Sequence, residues 1–412
     1  MTDASTSRRA QTGPALTFLT GLDLTRFQAE VWSRRPLLIA AAERAVSTPI
    51  FSLDDADDLL STRGLRTPFL RIAKDGQLLP TRRFVGSGGA GARVADQVVD
   101  ERVLEEFTAG STLVFQGLHR VWPPLQDLAG RLADELGHPV QVNAYLTPSS
   151  SRGFSAHYDT HDVFVVQVAG HKSWRCFAPL IDAPLPAQEW TTVREQVTER
   201  ATGTAELTAT LGPGDCLYLP RGWVHEAAAL GGISLHLTFG VHPLSRADLV
   251  RHAVDAVLQR NPELRRSLPA GIEVADPAQL RPDFDTALVE LTKSLDELDP
   301  ADLVHSLEVQ RWADVRPAPL RPVRQAGLAA TLTPDAVLIV RPGSHPRLHV
   351  DGDVPIVRVG DAVVPLPHTD VAILTRLLRG GSASVREFAS DPDEALEAAR
   401  TLLVVGILVE ST

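Results

Sequence analysis

Five short runs rich in β-branched and aromatic residues lie between residues 140 and 241, and they constrain the fold more than any other feature. The runs are VQVNAYLTP, VFVVQV, SWRCFAP, CLYLP and ISLHLTFGV. Turn signals such as AGHK, GPGD and LGG separate them. Short strands that follow one another without helices between them are typical of a barrel or a sandwich. We therefore expect a β-rich core here, with a hairpin at AGHK.

The segments on either side of this core predict helices. Residues 1–15 predict a flexible arm, and residues 16–110 predict mixed helix and strand with a flexible loop over 86–96. The run PPLQDLAGRLADELG has apolar residues at helical spacing. After residue 243 the run SRADLVRHAVDAVLQRN begins with Ser245 as a helix cap, and helical segments continue to about residue 311.

The last ninety or so residues follow the proline-rich linker RPAPLRPVR and mix short strands with helices. Their order over residues 320–412 resembles a winged helix. This segment contains nine arginines, no lysine and eleven acidic residues, which gives a net charge of −2. A surface that reads duplex DNA is normally basic. We therefore expect a structural or substrate-positioning role for this domain.

Composition limits the class of protein. A chain of 412 residues predicts about two to four domains. No apolar run reaches the roughly 18 residues of a membrane span, and the first residues lack the apolar centre of a signal peptide. Two cysteines, Cys176 and Cys216, are too few for a disulfide framework, so we expect a cytoplasmic protein. The net charge of −11 argues against a general affinity for nucleic acid or anionic membranes.

The stretch HYDTHDVFVVQVAGHKSW suggests a metal site. Strand alternation puts His157, Asp159 and His161 on one face. Two histidines and one carboxylate on one side of a metal form the facial triad of non-haem iron(II) oxygenases, which leaves three positions open. A third ligand must come from a later strand, and the run GPGDCLYLPRGWVHEA supplies His225.

A cation is expected in the same barrel. An anionic cosubstrate needs a buried positive charge or several hydrogen-bond donors, because an unpaired charge is costly in a barrel. Lys172 follows VFVVQVAGH and can reach inward from the predicted hairpin strand. It is one of only three lysines among forty basic residues, which makes its position more notable.

These motifs resemble those of a known family. The runs NAYLTPSSSRGFSAHYDTHDVFVVQVAGHKSWRCFAP, GDCLYLPRGWVHEA and SLHLTFG look like the JmjC-type ribosomal oxygenases, which are cupin-like, Fe(II)- and 2-oxoglutarate-dependent protein hydroxylases. The resemblance implies that iron(II) is held by His157, Asp159 and His225, with 2-oxoglutarate and dioxygen as cosubstrates. It leaves His161 outside the ligand set, either at the substrate mouth or as a polar strand residue.

The resemblance also implies contacts to the cosubstrate. It gives Lys172 the role of binding the distal carboxylate of 2-oxoglutarate. Asn143 and Tyr145 match family positions that face the cosubstrate, and Thr147 on the same face is a weaker candidate. Ser234, His236 and Thr238 share a face of a later strand and could line the pocket. Of these we select Thr238 as a cosubstrate contact. His236 could equally be a core histidine, and Trp174 and Trp223 are expected to pack.

The fold implied by the resemblance is α+β. A double-stranded β-helix (jelly-roll) catalytic domain over 16–243 would be followed by a helical dimerisation domain over 244–311 and the winged-helix domain over 320–412. We expect a homodimer that hydroxylates an arginine or histidine of a ribosomal protein. Three alternatives stay open: a hydroxylase of a biosynthetic precursor peptide, a demethylase, and a non-catalytic metal-binding cupin or transcription regulator. The sequence does not identify the target residue.

Overall fold

The computed structural model describes residues 13–43, 50–74, 76–91, 93–149, 155–313, 315–360 and 362–411. The predicted arm therefore lies almost wholly outside the described residues, and its last residue, Ala15, already begins the first helix. The elements of the N-terminal part are α1 (Ala15–Thr20), α2 (Leu24–Glu30), β1 (Leu37–Ile39), α3 (Leu53–Ser61), β2 (Leu70–Lys74), β3 (Gln77–Leu78), β4 (Val85–Gly86), β5 (Gln97–Val98), α4 (Asp100–Thr108), β6 (Thr112–Phe115), α5 (Leu118–Val121) and α6 (Pro123–Leu136).

The β-rich centre of the chain folds as the strand runs predict. Its elements are β7 (Val140–Thr147), β8 (Asp162–Phe177), α7 (Arg194–Thr202), β9 (Leu207–Leu211), β10 (Cys216–Leu219) and β11 (Val224–Val241). These strands join the N-terminal ones in an antiparallel sheet of nine strands with the order β1-β10-β8-β11-β7-β6-β2-β3, and β9 pairs with β8. The α+β prediction with an antiparallel jelly-roll core is confirmed.

The two faces of this sheet bury different residues. One face packs against α1, α2 and α6 in the main core, which contains Phe27, Leu132, Val142, Phe164 and Leu237. The opposite face turns inward and forms a second, smaller core of residues from β8, β9 and β10: Val163, Val165, Trp174, Cys176, Ala209, Leu211, Leu217 and Leu219. Side chains of this inward face can therefore converge on a shared interior.

The predicted hairpin at AGHK is wrong. Residues 162–177 form one continuous strand, and the LGG signal lies inside β11 in the same way. The two long strands bend together, with a shift of register between Leu230 and Leu235. Gly170 serves the bend, because its φ is +65° and a Cβ there would lie 2.1 Å from the carbonyl oxygen of Ile233. A glycine of this kind allows a strand to bend without ending.

Strand alternation also fails just before β8. His157, Asp159 and His161 precede the strand, and in this stretch only His157 forms an isolated bridge, with His225. The three residues therefore do not belong to β8 or to any other strand of the sheet.

The C-terminal half begins with three helices of low burial. They are α8 (Arg246–Arg260), α9 (Pro277–Asp296) and α10 (Val304–Trp312). Ser245 caps α8 in a capping box with Asp248, as the sequence predicts for the start of this helix. Val257 is the single buried residue of α8, and α9 has no buried residue over its 20 residues.

The last part of the chain has a core of its own, built around Leu338, Phe388 and Leu402. Two sheets of three strands each accompany its helices. Its elements are α11 (Pro322–Ala330), β12 (Val337–Val340), β13 (Arg347–Asp351), β14 (Val354–Val359), β15 (Ala362–Pro365), α12 (Val371–Leu378), β16 (Ser382–Ser384), α13 (Pro392–Val404) and β17 (Leu408–Glu410). Across the described residues, every helix is too short or too polar to cross a bilayer.

Candidate metal centre

His157, Asp159 and His225 come together in space. One possible ligand atom from each lies within 4.8 Å of those of the other two. The Nε2 atom of His225 is 3.8 Å from Oδ2 of Asp159, and the two imidazole centroids are 4.4 Å apart. A pair of backbone hydrogen bonds joins the two histidines, from His157 N to His225 O at 3.1 Å and from His225 N to His157 O at 2.8 Å.

Both imidazoles have one nitrogen tied to the backbone. Nδ1 of His157 lies 2.8 Å from the carbonyl oxygen of Ser155, and Nδ1 of His225 lies 3.0 Å from that of Trp223. A carbonyl only accepts hydrogen bonds, so each Nδ1 carries the proton in the neutral ring. The lone pair is then on Nε2 of each ring. Such outer contacts fix the tautomer and the ring plane of metal-binding histidines.

The charges of the cluster suit a cation. Burial, together with the neighbouring His157, lowers the pKa of His225 to about 4. Burial alone would raise the pKa of the Asp159 carboxyl, but the imidazoles of His161, His157 and His225 outweigh it and hold that pKa below its usual range. At neutral pH the site therefore presents a neutral His225 ring and a carboxylate, the forms that bind metals.

The donor set fits a non-haem iron(II) site. Two imidazole nitrogens and one carboxylate oxygen on one side leave the other side of a bound ion open to other ligands. A closed structural zinc site would supply four protein ligands, commonly with cysteine. Both cysteines of the chain are buried within strands β8 and β10, and neither belongs to the cluster.

Lys172 lies on β8 and points into the same interior. It is 4% exposed, and its strand neighbours there are Ala229 of β11 and Leu211 of β9. Its Nζ lies 5.9 Å from the centroid of the Trp174 ring. The part of the chain that the structure describes offers this ammonium no carboxylate and no hydrogen-bond acceptor. Burial accordingly lowers the pKa of Lys172 to about 8.

Unused hydrogen-bonding groups accompany this cation. Among the described residues, the buried atoms Nε1 of Trp174 and Nδ1 of His236 have no hydrogen-bond partner. His236 stacks on Tyr145 with centroids 4.9 Å apart and meets Trp174 edge to face at 5.6 Å. Buried polar groups without partners are rare in folded proteins. A buried cation with unused N–H groups beside it fits an anionic cosubstrate.

The other predicted cosubstrate residues lie on the inward face of the sheet. Asn143 pairs with Thr238, and Tyr145 pairs with His236, across β7 and β11. The Oδ1 atom of Asn143 accepts a hydrogen bond from the backbone N–H of Gly117 at 3.0 Å, so one of its groups already has a structural role. Burial and the Asp159 charge raise the pKa of Tyr145, which keeps its hydroxyl protonated.

Thr147, the weaker candidate, is fully buried and lies opposite Ser234. Its hydroxyl lies 3.3 Å from that of Thr112 on the neighbouring strand. Asp162 is also buried, and its Oδ1 accepts a hydrogen bond from the backbone N–H of Arg221 at 2.7 Å. This contact to the main chain gives Asp162 a structural role.

Residues that the sequence did not single out also surround the cluster. The indole of Trp190 lies 6.0 Å from the His157 ring, and the rings of His161 and His242 stack at 4.8 Å. Gln141 contacts His161 from β7. None of the three newly found residues has a local signal, because each comes from a different part of the chain.

Comparison with known proteins agrees with this arrangement. The sequence profile of the JmjC domain matches residues 122–249. Human ribosomal oxygenase 1 is 27% identical over 250 residues, which are 59% of this chain and 37% of the human protein. The protein of Culex quinquefasciatus named bifunctional lysine-specific demethylase and histidyl-hydroxylase NO66 is 27% identical over 249 residues, again 59% of this chain and 37% of the relative. The chain thus spans well under half the length of these relatives.

Solved structures match over nearly the whole chain. Escherichia coli ribosomal oxygenase YcfD is 20% identical with a TM-score of 0.53, over 95% of this chain and 98% of YcfD. A second YcfD structure, in complex with cobalt and 2-oxoglutarate, gives 19% identity and a TM-score of 0.54 over 95% and 99% of the two chains. This likeness establishes a common fold. For this chain the comparisons thus show a JmjC domain over residues 122–249 and a fold shared with YcfD.

Proposed function

We propose that the protein is an Fe(II)- and 2-oxoglutarate-dependent oxygenase that hydroxylates an arginine or histidine side chain of a ribosomal protein. One observation carries the proposal: the His157, Asp159 and His225 cluster shares an interior with Lys172, a buried cation that has no anionic partner in the described residues. A metal site alone would fit many proteins. The adjacent cation points to an anionic cosubstrate of the 2-oxoglutarate type.

The three cluster residues would hold the iron through Nε2 of each histidine and one oxygen of Asp159. When bound, Fe(II) with 2-oxoglutarate supplies the means to reduce dioxygen, place one oxygen atom in a C–H bond of the substrate and the other in succinate, and release carbon dioxide. The chain itself supplies geometry. The carbonyl groups of Ser155 and Trp223 fix both imidazole planes before any metal arrives.

Lys172 would bind the distal carboxylate of 2-oxoglutarate. An ammonium that is already desolvated gains more from an anion than one in water, because the surrounding dielectric is low. Trp174 and the stacked pair of Tyr145 and His236 enclose this end of the pocket and exclude water from it. Nε1–H of Trp174 and Nδ1 of His236, with Thr238 and Asn143 further along the face, are the further candidates for contacts to the cosubstrate.

The names of the relatives support the substrate class. Relatives of this chain carry the names ribosomal oxygenase and histidyl-hydroxylase, and a structure of YcfD is a complex with cobalt and 2-oxoglutarate. The net charge of −11 agrees with a basic partner such as a ribosomal protein. Because ribosomes work in the cytoplasm, we propose a cytoplasmic location.

We further propose that residues 244–311 form a dimerisation domain. The long helix α9 buries no residue within the chain, although it carries apolar side chains along its length. Phe284 is 60% exposed, and Leu288 and Val289 follow it one turn later at 49% and 66%. A helix with an unburied apolar face needs a partner, and a second copy of the same helix provides one.

We propose a winged-helix domain for residues 320–412, with the catalytic domain over 16–243. Residues 320–412 have a core of their own, which agrees with a separate unit. Their net charge of −2 supports a structural or substrate-positioning role over DNA binding. Several contacts link this unit to the remainder of the chain. His345 stacks on Trp312 of α10 at 3.7 Å, and its Nε2 lies 3.3 Å from a carboxylate oxygen of Asp134 in α6.

The proposal is tested by succinate formation. Purified protein with Fe(II), 2-oxoglutarate and dioxygen should release succinate, and total ribosomal protein from a strain that lacks the gene should increase the rate. Lys172→Ala should lose 2-oxoglutarate binding while it still binds Co(II). A protein that binds the metal but neither binds nor consumes 2-oxoglutarate would be a non-catalytic metal-binding cupin, and the proposal would be wrong.

A further inference from the structure

His161 occupies a seat that the fold prepares for its ring. The seat is over Gly240 of β11, where a Cβ would lie 2.5 Å from both Cδ2 and Nε2 of the imidazole. Every side chain larger than hydrogen at position 240 would therefore displace the ring. Gly240 has an ordinary strand conformation, so its backbone does not require glycine. The absence of a side chain serves the contact with His161.

Two more residues fix the orientation of this ring. His242 lies two residues after Gly240, and its imidazole stacks on that of His161 with an interplanar angle of 14° and a centroid distance of 4.8 Å. The backbone N–H of His242 donates to the carbonyl oxygen of Pro139 at 2.9 Å. Gln141, which pairs with Gly240 across the two strands, approaches His161 from the side.

The contact with Gln141 determines which nitrogen of His161 carries the proton. Nε2 of the Gln141 amide lies 3.2 Å from Nε2 of the His161 ring. An amide nitrogen only donates, so the ring nitrogen accepts and the neutral imidazole has its proton on Nδ1. This Nδ1–H group has no hydrogen-bond acceptor in the described part of the chain. The fold therefore presents an oriented donor.

The donor lies beside the candidate metal centre. His161 follows Asp159 by two residues in the chain, just before β8. It is half-buried, and its stacking partner His242 is exposed to solvent. The stacked pair of His161 and His242 thus extends from the metal centre to the protein surface. It lies on the side away from Lys172. Along β7 and β11, the pair Asn143 and Thr238 lies between it and the pair Tyr145 and His236.

We propose that His161 binds the protein substrate, by donating a hydrogen bond from Nδ1 to a peptide carbonyl oxygen next to the hydroxylated residue. His242, Gly240 and Gln141 are positioning residues that hold the ring for this contact. An N–H donor at a solvent-facing wall suits a carbonyl acceptor, and a polypeptide offers one at every residue. This inference rests on the proposed function and names the part of the site that recognises the polypeptide.

The test compares substrate hydroxylation with substrate-free turnover. His161→Phe keeps a flat ring for stacking but removes the donor. The probe is total ribosomal protein from a strain that lacks the gene, with hydroxylation followed by mass spectrometry and succinate measured without substrate. At limiting substrate we expect hydroxylation to fall about fivefold, the effect of one lost hydrogen bond. Substrate-free succinate formation and the 2-oxoglutarate Kd should be unchanged. His349→Phe, at an exposed histidine of β13, is the control.

A second pair of variants separates this role from folding. Gly240→Ala should displace the ring and lower hydroxylation as His161→Phe does. In a His161→Ala background the same Gly240→Ala change should cost nothing more, because the added methyl group then enters the vacated seat. Melting temperatures close to that of the wild type would exclude misfolding as the cause.

Two results would overturn the inference. Unchanged hydroxylation by both His161→Phe and Gly240→Ala would remove His161 from substrate binding. An equal fall in substrate-free succinate formation would assign the stack to the metal centre instead. A wild-type protein that makes no succinate at all is a different failure, since it refutes the proposed function itself.

Discussion

His157 and His225 are joined by reciprocal backbone hydrogen bonds of 3.1 and 2.8 Å, although one precedes β8 and the other begins β11. The bridge places their side chains side by side, with Asp159 close by. The main chain therefore builds the metal centre before the metal binds. Preorganisation of this kind avoids the cost of ordering ligands on binding.

Removal of His225 should abolish metal stabilisation. Metal that binds only the folded state stabilises it by about 2.7 kcal/mol at a metal concentration 100-fold above Kd. We expect added Co(II) to raise the thermal midpoint of the wild type and of His349→Ala, and to leave that of His225→Ala unchanged. A full Co(II) shift in His225→Ala would show that the ion binds elsewhere.

Binding of 2-oxoglutarate should weaken at alkaline pH. Burial lowers the pKa of the Lys172 ammonium from 10.5 to about 8 in the folded protein, so this group loses its charge as the pH rises through that value. At about pH 9 roughly one-tenth of it is still protonated, which predicts an affinity about tenfold lower than at neutral pH. Calorimetric titration of the Co(II) protein would measure this.

Lys172→Arg is the matched control for that titration, because a guanidinium stays charged throughout the range. Its affinity for 2-oxoglutarate should change little between the two pH values. Equal losses of affinity in Lys172→Arg and the wild type would assign the pH dependence to another group and contradict the role of Lys172.

A charge on the exposed face of α9 should separate the dimer. Phe284→Asp puts a carboxylate at the centre of the apolar face, and an unpaired charge in a buried interface is costly. We expect light scattering to give a dimer for the wild type and a monomer for this variant. Val323 is an apolar residue of α11, outside residues 244–311, and it is 89% exposed. The Val323→Asp variant should stay dimeric. A monomeric wild type would refute the dimerisation proposal.

Asp162→Asn should stabilise the protein at neutral pH. The Asp162 carboxyl is buried, its Oδ2 has no partner among the described residues, and burial raises its pKa from 3.8 to about 6. Such a group binds its proton more tightly when folded, so its contribution to stability is complete below about pH 4 and is lost as the pH rises through 6.

Asparagine keeps the acceptor for Arg221 N–H and removes the buried charge. The variant should gain about 1–3 kcal/mol over the wild type at about pH 7.5, and less at about pH 4.5. Urea unfolding at both pH values measures the difference. A variant less stable than the wild type at the higher pH would mean that the charge itself is needed.

Local patterns in the sequence were sufficient for most elements. Strands β7 and β10, the second half of β11 and helix α6 follow from the runs of the sequence, and the Ser245 cap marks the start of α8. The hairpin at AGHK was wrong because Gly170 has the positive φ that both a turn and a strand bend require. Only the partner strand, with the carbonyl of Ile233 against Gly170, distinguishes the two.

Some residues of the candidate site could likewise be predicted from local patterns, and others could not. His157, Asp159 and Lys172 belong to one short stretch of the sequence, and His225 follows a clear turn-and-strand signal, so all could be predicted together. The seat of His161 could not be predicted, because it needs Gln141 from β7 and Gly240 and His242 from the end of β11. The pairing of these strands is a property of the folded sheet, and no local pattern encodes it.

The most direct measurement compares the ribosomal proteins of a strain that lacks this gene with those of its parent by mass spectrometry. We expect one protein to lose a mass shift of a single oxygen atom, and we expect the wild-type gene to restore the shift while His157→Ala does not. Identical ribosomal proteins in both strains would contradict the assignment of a ribosomal substrate.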